Sequence, residues 1–221
     1  MAEAVSVTAQ VVADDAAGRA AAVGVLRKGG VVALPTDTVY GIAVSLATPG
    51  GIERLFRVKE RPPDKAVILL LDDVAQAARA GRITPPAAAL AAALWPGGLT
   101  LIVPQRTDVA WPDVLTGGSA TIGLRVPDHD APRTLARSVG PLPTTSANRS
   151  GVPEATDAAG VLEQLGDAID LVLDGGPAAG GLPSTVVDCS GPQPTILRVG
   201  AVPPESVAEV LAGAGIDLAL G

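Results

Sequence analysis

The sequence has few of the residues on which many catalytic sites depend. Its 221 residues include one cysteine, Cys189, and one histidine, His129. A single cysteine excludes a disulfide framework and a multi-cysteine metal site. A single histidine excludes histidine-rich metal sites and most Ser-His arrangements. Any chemistry is therefore expected to rely on substrate positioning and positive charge rather than on a side-chain nucleophile.

Aromatic residues are also scarce, and basic residues are outnumbered by acidic ones. Aromatics make up 2% of the chain, so the core must be built from Ala, Val, Leu and Ile. The formal net charge of −7 argues against a general nucleic-acid or anionic-membrane binder. No uninterrupted apolar run approaches the roughly 20 residues that cross a bilayer, and the segment MAEAVSV at the start lacks the basic residues of a secretory signal. We therefore expect a cytoplasmic protein.

Short apolar runs alternate with Ala-rich helical runs along the chain. Strands are predicted over 6–12, 31–34, 42–46, 67–71, 99–103, 121–126, 169–173, 185–188 and 195–199. Helices are predicted over 15–28, 49–58, 73–80, 85–94, 131–139, 157–165 and 205–211. This interleaving indicates one α/β (α+β) domain over 1–221, in which helices flank a twisted, mostly buried mixed sheet.

Capping residues predict where several helices begin. Thr84 is expected to cap the helix that Pro85 opens. Thr48 is expected to cap a helix opened by Pro49, and Thr156 to cap the helix that follows it.

A basic cluster stands out on this acidic chain. Its members are Arg54, Arg57, Lys59, Arg61 and Lys65. The segment leaves a predicted helix and becomes a proline-stiffened loop before a buried strand, a usual place for a binding group. Its cations could form charge-assisted hydrogen bonds with phosphate oxygens. Alternatively, the cluster is a solvated helix end whose cations favour the C-terminal dipole.

Three further segments, 34–41, 143–151 and 180–188, place hydroxyl and amide groups beside apolar runs. They could bind a small polar ligand or nucleotide, but tight turns and caps explain the same residues. Arg125 and Arg198 each interrupt an apolar strand pattern and require a nearby anion, either a bound ligand or a structural carboxylate.

Taken together and in order, these segments resemble a known family. The matching pieces are PTDTVYG (35–41), KERPPDK (59–65), LWPGGLTLIVP (94–104), TIGLRVPDH (121–129), TSANRSG (145–151), PSTVVD (183–188) and LRVG (197–200). The chain resembles the YrdC-like domain of threonylcarbamoyl-AMP synthases over about 20–200, which leaves a short helical tail over 203–221. It departs from the family where Leu70 replaces a histidine found in some members, and where Arg149 replaces a common leucine. Long members carry a further C-terminal domain.

The resemblance implies an activity. Such enzymes join L-threonine, bicarbonate or CO2, and ATP into threonylcarbamoyl-AMP, release pyrophosphate, and use Mg²⁺ with the ATP. The product feeds tRNA threonylcarbamoyl-transfer proteins. No membrane partner and no stable tRNA binding are expected.

The resemblance also implies site residues, carried over by motif position. The catalytic set would be Lys59, Arg61, Ser146 and Asn148. L-threonine would be held by Thr38, Arg125, Ser146 and Ser184. ATP would be held by Arg61, Lys65, Thr121, Asn148, Thr156 and Arg198. No protein side chain is identified as a metal ligand.

Two other functions belong to the same fold. One is an RNA-binding or ribosome-maturation module, against which the acidic charge and few aromatics count. The other is a carbamoyl-transfer domain like that of hydrogenase maturation proteins, which lacks support because the zinc-finger cysteines of those proteins are missing.

Overall fold

One ten-stranded sheet organises the computed structural model, which describes residues 9–60 and 66–219. Its strands are β1 (Gln10–Ala13), β2 (Val32–Leu34), β3 (Gly41–Ala43), β4 (Ile68–Leu70), β5 (Leu99–Pro104), β6 (Thr121–Arg125), β7 (Leu142–Ser146), β8 (Leu171–Asp174), β9 (Thr185–Asp188) and β10 (Thr195–Arg198). They lie in the order β1-β8-β2-β3-β7-β4-β6-β5-β9-β10. Neighbours are parallel in some pairs, such as β1 with β8, and antiparallel in others, such as β2 with β3.

Helices flank this sheet. They are α1 (Ala16–Arg27), α2 (Gly51–Lys59), α3 (Val74–Ala80), α4 (Pro85–Leu94), α5 (Asp113–Thr116), α6 (Asp130–Val139), α7 (Ala158–Leu165) and α8 (Pro204–Gly213). The mixed α/β fold predicted from the sequence is therefore confirmed. Every helix within 9–60 and 66–219 is too short or too polar to span a bilayer.

Buried aliphatic residues form two clusters, one against each face of the sheet. Val32 and Leu34 of β2 belong to one cluster with side chains of α1 and α6, whereas Ala33 between them belongs to the other. Successive side chains of a strand point to opposite faces. A strand buried on both faces therefore reads as a continuous apolar run, which is why β2 was recognisable in the sequence.

The strand register brings polar residues from distant segments together. β7 lies antiparallel between β3 and β4, so that Ser146 pairs with Gly41 and Thr144 pairs with Ile68. β6 lies parallel to β4 on its other side and ends at Arg125. The ends of these central strands carry most of the polar groups of the candidate site.

Two predicted helix caps are wrong. The helix predicted from Pro49 begins at Gly51, and its N-cap is Gly50 in the left-handed conformation rather than Thr48. The hydroxyl of Thr48 instead faces the Leu26 carbonyl oxygen at 3.5 Å. The cap of α7 is Asp157 rather than Thr156, because the Asp157 carboxylate accepts the Gly160 N–H at 2.8 Å.

β7 and α5 have no counterpart among the predicted elements. β7 reads LPTTS, a sequence without apolar alternation, and it is a strand because it is hydrogen-bonded between two others. α5 is a single turn of four residues, too short for helical periodicity to show. The predicted strand over 42–46 is shorter than expected and ends at Ala43. The part of the first predicted strand over 6–8 lies outside the described residues.

Candidate functional site

A cavity of about 160 Å³ opens over the central strands. It is lined by the segment before β3, by β4, by the ends of β6 and β7, and by residues beside β9 and β10. Its polar lining residues are Thr36, Thr38, Tyr40, Arg125, Thr144, Thr145, Ser146, Glu154, Ser184 and Arg198. Five of the residues predicted from the sequence are in this lining: Thr38, Arg125, Ser146, Ser184 and Arg198.

Lys59 ends α2 directly beside this cavity. Its side chain is 2% exposed, and its ammonium donates to the carbonyl oxygen of Ser146 at 2.7 Å and to its hydroxyl at 3.1 Å. It also donates to Asn148 Oδ1 at 3.0 Å. A buried ammonium is stable only when its donors are satisfied. These bonds therefore hold the cation at a defined place beside the end of β7.

Asn148 connects that cation to the loop after β7. Its amide Nδ2 donates to the carbonyl oxygens of Arg149 and Val152, at 3.0 and 2.6 Å. These bonds direct Oδ1 towards Lys59 and towards the hydroxyl of Ser146, which donates to it at 2.6 Å. The predicted residues Lys59, Ser146 and Asn148 thus form one hydrogen-bonded cluster, which we call the Lys59 cluster.

Arg125, at the end of β6, is 4% exposed. Its Nε donates to the Gly97 carbonyl oxygen at 3.0 Å, Nη1 donates to Thr38 Oγ1 at 2.9 Å, and Nη2 forms an ion pair with Asp37 Oδ1 at 2.6 Å. Burial lowers the pKa of Arg125, Asp37 opposes that shift, and the positive charge of Arg198 adds to it. A guanidinium has five N–H donors. One N–H on each terminal nitrogen therefore has no partner among the described residues.

Arg198, at the end of β10, is exposed. Its Nη2 donates to the carbonyl oxygen of Ser184 at 2.8 Å and to its hydroxyl at 3.1 Å. The Ser184 hydroxyl lies 2.8 Å from that of Thr100, which is fully buried. Burial lowers the pKa of Arg198, and the Glu154 carboxylate opposes that shift. No carboxylate of the described residues pairs with Arg198.

The segment 35–41 holds the wall of the cavity by internal hydrogen bonds. Thr36 Oγ1 donates to the Val39 carbonyl oxygen at 2.6 Å and lies 3.0 Å from the Thr38 hydroxyl. The Tyr40 hydroxyl donates to the Gly176 carbonyl oxygen at 2.8 Å. Gly180 has no room for a side chain, because a Cβ there would lie 2.6 Å from the Asp37 carbonyl oxygen. The threonines that stabilise the turn in this segment, Thr36 and Thr38, therefore also line the cavity.

Four predicted residues lie elsewhere. Thr121 is at the opposite end of β6 from Arg125, about 13 Å along the strand, and its hydroxyl lies 2.7 Å from that of Ser119 in an exposed environment. Thr156 is exposed. Neither lines the cavity. Arg61 and Lys65 lie outside the described residues.

Several residues of the site were not among the predicted site residues, and three of them bear on its charge and hydrogen bonding. Asp37 pairs with Arg125, Thr100 contacts Ser184, and Glu154 lines the cavity opposite Arg198. Asp37 stands within PTDTVYG, so its position in a motif was a usable signal. Thr100 likewise stands within LWPGGLTLIVP, whereas Glu154 carried no signal, because it lies outside every matching segment.

Fold and site together define a class of protein. The chain is an α/β domain with a cavity that presents arginines and hydroxyls, and neither cysteine nor histidine is in its described lining. Such a cavity suits small anionic ligands. The class can be named from comparison with known families. The Sua5/YciO/YrdC model, described as telomere recombination, matches residues 24–200, and the chain belongs to this family.

Named relatives agree with that assignment. The chain is 36% identical to threonylcarbamoyl-AMP synthase of Bacillus subtilis over 91% of its own length and 58% of the relative. It is 37% identical to the Pyrococcus abyssi enzyme over 86% of its length and 56% of the relative. A putative threonylcarbamoyl-AMP synthase of Mycobacterium tuberculosis is 38% identical over 91% of both chains. The chain thus spans little more than half of the first two relatives.

Solved structures show the same fold. Pyrococcus abyssi Sua5 complexed with L-threonine superposes with a TM-score of 0.86 at 33% identity, covering 96% of this chain and 62% of that one. Escherichia coli YciO superposes with a TM-score of 0.76 at 26% identity, covering 87% of this chain and 94% of that one.

Proposed function

We propose that this protein is an L-threonylcarbamoyladenylate synthase, a nucleotidyltransferase that forms threonylcarbamoyl-AMP and pyrophosphate from L-threonine, bicarbonate or CO2, and ATP. One observation carries the proposal. Arg125, Arg198 and the Lys59 cluster come from separate parts of the chain and meet at one cavity. The names of the relatives support this activity over an RNA-binding or ribosome-maturation module.

L-threonine would lie against Arg125. The two remaining N–H donors of its guanidinium, one on each terminal nitrogen, can hold a carboxylate bidentately. Thr38, Ser146 and Ser184 line the same cavity and offer hydroxyls to the amino acid. The Pyrococcus abyssi Sua5 structure with L-threonine supports this choice of substrate.

ATP would lie towards Arg198 and Asn148. Arg198 is exposed and pairs with no carboxylate of the described residues, so it can bind phosphate oxygens. Arg61, Lys65, Thr121 and Thr156 remain predictions for this half of the site. Thr121 and Thr156 do not line the cavity, so they would contact a nucleotide only beyond its walls.

The chemistry needs no protein nucleophile. Bicarbonate supplies CO2 by losing hydroxide. The deprotonated threonine amine adds to CO2, so that a C–N bond forms as one C=O π bond opens, and the nitrogen loses a proton to solvent, which gives a carbamate. A carbamate oxygen then attacks the α-phosphorus of ATP, an O–P bond forms, and the bond to pyrophosphate breaks. The protein aligns two anions and offsets their repulsion with cations. Cys189 is unsuited to nucleophilic attack, because it is fully buried and burial raises its pKa to about 12.

Mg²⁺ would accompany the ATP. No cluster of three His, Cys, Asp or Glu side chains occurs in 9–60 or 66–219, so a resident metal centre does not fit the described donors. A carboxylate and several hydroxyls at the cavity do fit an ion that arrives with phosphates. When bound, the ion would neutralise charge on the polyphosphate.

We further propose a cytoplasmic location and delivery of the product to tRNA threonylcarbamoyl-transfer proteins. The net charge of −7 supports transient rather than stable contact with tRNA.

Pyrophosphate release from ATP tests the activity directly. We expect release only when both L-threonine and bicarbonate are present, with threonylcarbamoyl-AMP identified by mass spectrometry. L-serine replacing L-threonine is the control for recognition of the side-chain methyl group. Release that persists without threonine or without bicarbonate would contradict the proposed function.

A further inference from the structure

Glu154 is the acidic side chain in the described lining of the cavity, and no substrate group has been assigned to it. It lies in the loop between β7 and α7 and is partly buried. Its neighbour Ala155 fixes the loop, because the Ala155 carbonyl oxygen accepts the Tyr40 N–H at 3.0 Å. The Glu154 carboxylate itself has no hydrogen bond and no ion pair with any residue in 9–60 or 66–219. Such a group is available to a ligand.

Glu154 and Arg198 face the same cavity. They interact through space, because the Glu154 charge opposes the lowering of the Arg198 pKa by burial. They form no ion pair, since no oxygen of Glu154 lies within 4.0 Å of the guanidinium. Arg198 donates to Ser184 instead. The carboxylate therefore does not serve as the fixed partner of this arginine.

A free carboxylate beside a phosphate-binding arginine raises a physical difficulty. Phosphate oxygens drawn to Arg198 would be repelled by Glu154 at short range. A divalent cation placed between carboxylate and phosphate turns that repulsion into attraction. Mg²⁺ in nucleotide sites is usually held by one or two carboxylates together with substrate phosphates and waters.

We infer that Glu154 is the protein carboxylate that binds the Mg²⁺ accompanying ATP. The inference rests on the proposed function, because it takes the nucleotide to lie against Arg198. A single carboxylate agrees with the lack of a three-residue acidic cluster among the described residues. The ion is then bound jointly by protein and nucleotide and leaves with pyrophosphate.

Nucleotide binding with and without Mg²⁺ tests this role. The probe is α,β-methylene-ATP, which the reaction cannot cleave, titrated by calorimetry into wild type and Glu154→Gln in EDTA and in excess Mg²⁺. We expect the order of the two affinities to reverse between the two conditions. Without Mg²⁺, Glu154→Gln should bind about three- to tenfold more tightly than wild type, because the repulsion is gone. With Mg²⁺, it should bind about tenfold more weakly.

A matched variant controls for net charge. Glu209→Gln removes the same charge from an exposed position on α8 that does not line the cavity. It should bind the probe as wild type does in both conditions. Thermal unfolding of both variants checks that each is folded. Mn²⁺ in place of Mg²⁺ gives a second readout, since its electron paramagnetic resonance spectrum in the nucleotide complex should change in Glu154→Gln and not in Glu209→Gln.

Each alternative result has a distinct meaning. Weaker binding of Glu154→Gln in both conditions would show that Glu154 positions Arg198, and would overturn the metal role. An altered affinity for L-threonine alone would show that Glu154 binds the substrate ammonium, and would also overturn it. The same Mg²⁺ response in both proteins overturns the inference and leaves the proposed function intact. Wild type that binds no nucleotide in either condition overturns both.

Discussion

The positive charges of two arginines in the same cavity are neutralised to different extents by the protein. Arg125 is 4% exposed and forms an ion pair with Asp37, together with hydrogen bonds to Thr38 and Gly97. Arg198 is exposed and donates to Ser184 without any carboxylate partner among the described residues. Burial lowers the pKa of both.

The difference shows that burial decides which arginine also needs a counter-charge from the protein. A fully buried guanidinium cannot rely on water, so the protein must supply its counter-charge. An exposed guanidinium is still hydrated, so its charge needs no protein carboxylate and can be neutralised by an anionic ligand. Removing Arg125 should therefore disturb folding and substrate binding together, whereas removing Arg198 should disturb binding alone.

The largest effect is expected from Arg125→Ala. It leaves the Asp37 carboxylate without its partner, so the free energy of unfolding should fall by about 3–5 kcal/mol, measured by urea denaturation. Pyrophosphate release that depends on threonine should be lost. Arg137→Ala is the matched control, because Arg137 pairs with Asp72 at the same 2.6 Å but its side chain is 62% exposed. That variant should lose less than about 1 kcal/mol. Equal losses in the two variants would refute the distinction drawn from burial.

Lys59→Met tests whether the Lys59 cluster serves chemistry as well as folding. Methionine fills similar space but leaves the Ser146 and Asn148 oxygens without their donor, so a loss of about 1–3 kcal/mol is expected in the same denaturation assay. The rate of pyrophosphate release should fall about a hundredfold. Lys28→Met makes the same change at an exposed position and should retain wild-type values. A folded Lys59→Met protein with normal turnover would leave the cluster a purely structural role.

Arg198→Ala should change stability by less than about 1 kcal/mol, because its bonds go to Ser184 and no carboxylate is stranded. Its affinity for ATP should fall about 10- to 100-fold, as measured by calorimetry, because charge-assisted hydrogen bonds to phosphate are lost. Arg82→Ala, at an exposed position outside the cavity, provides the comparison. Unchanged ATP affinity in Arg198→Ala would assign this arginine to structure.

The smallest effect is expected in alkylation of Cys189, which reports opening of the fold. Burial raises the pKa of this thiol to about 12, so in the folded protein at pH 8 it is protonated and unreactive. Above its unfolded pKa of about 9, the unfolded thiolate is favoured and stability should fall as pH rises towards 12. Iodoacetamide at pH 8 should label Arg125→Ala faster than wild type and Arg198→Ala at the wild-type rate. Fast labelling of folded wild type would contradict burial of the thiol.

Most of the secondary structure could be predicted because its signals are local. The Asp15 carboxylate accepts the Gly18 N–H at the start of α1, and Thr84 with Pro85 begins α4 as expected. β9 has the predicted bounds. The start of α2 was predicted two residues early, because Pro49 is a usual first helical residue, whereas Gly50 is left-handed and α2 begins only after it. The polar β7 was missed because its stability comes from neighbours that the sequence places far away.

Part of the site could likewise be predicted from the sequence, and part could not. Motif resemblance singled out Thr38, Arg125, Ser146, Ser184 and Arg198, which line one cavity. It also singled out Thr121 and Thr156, which do not. Glu154 has no motif and no helical or strand periodicity, so only the tertiary structure, in which it lines the same cavity as Arg198, could bring the two together.

The sequence by itself determined the alternation of helices and strands, the acidic charge, and the types of side chain available for chemistry. These follow from composition and from hydrogen bonds between residues close in the chain. Only the tertiary structure decided which arginine is buried against a carboxylate and which has no carboxylate partner among the described residues. That choice depends on long-range strand pairing, which sets how much water each guanidinium keeps.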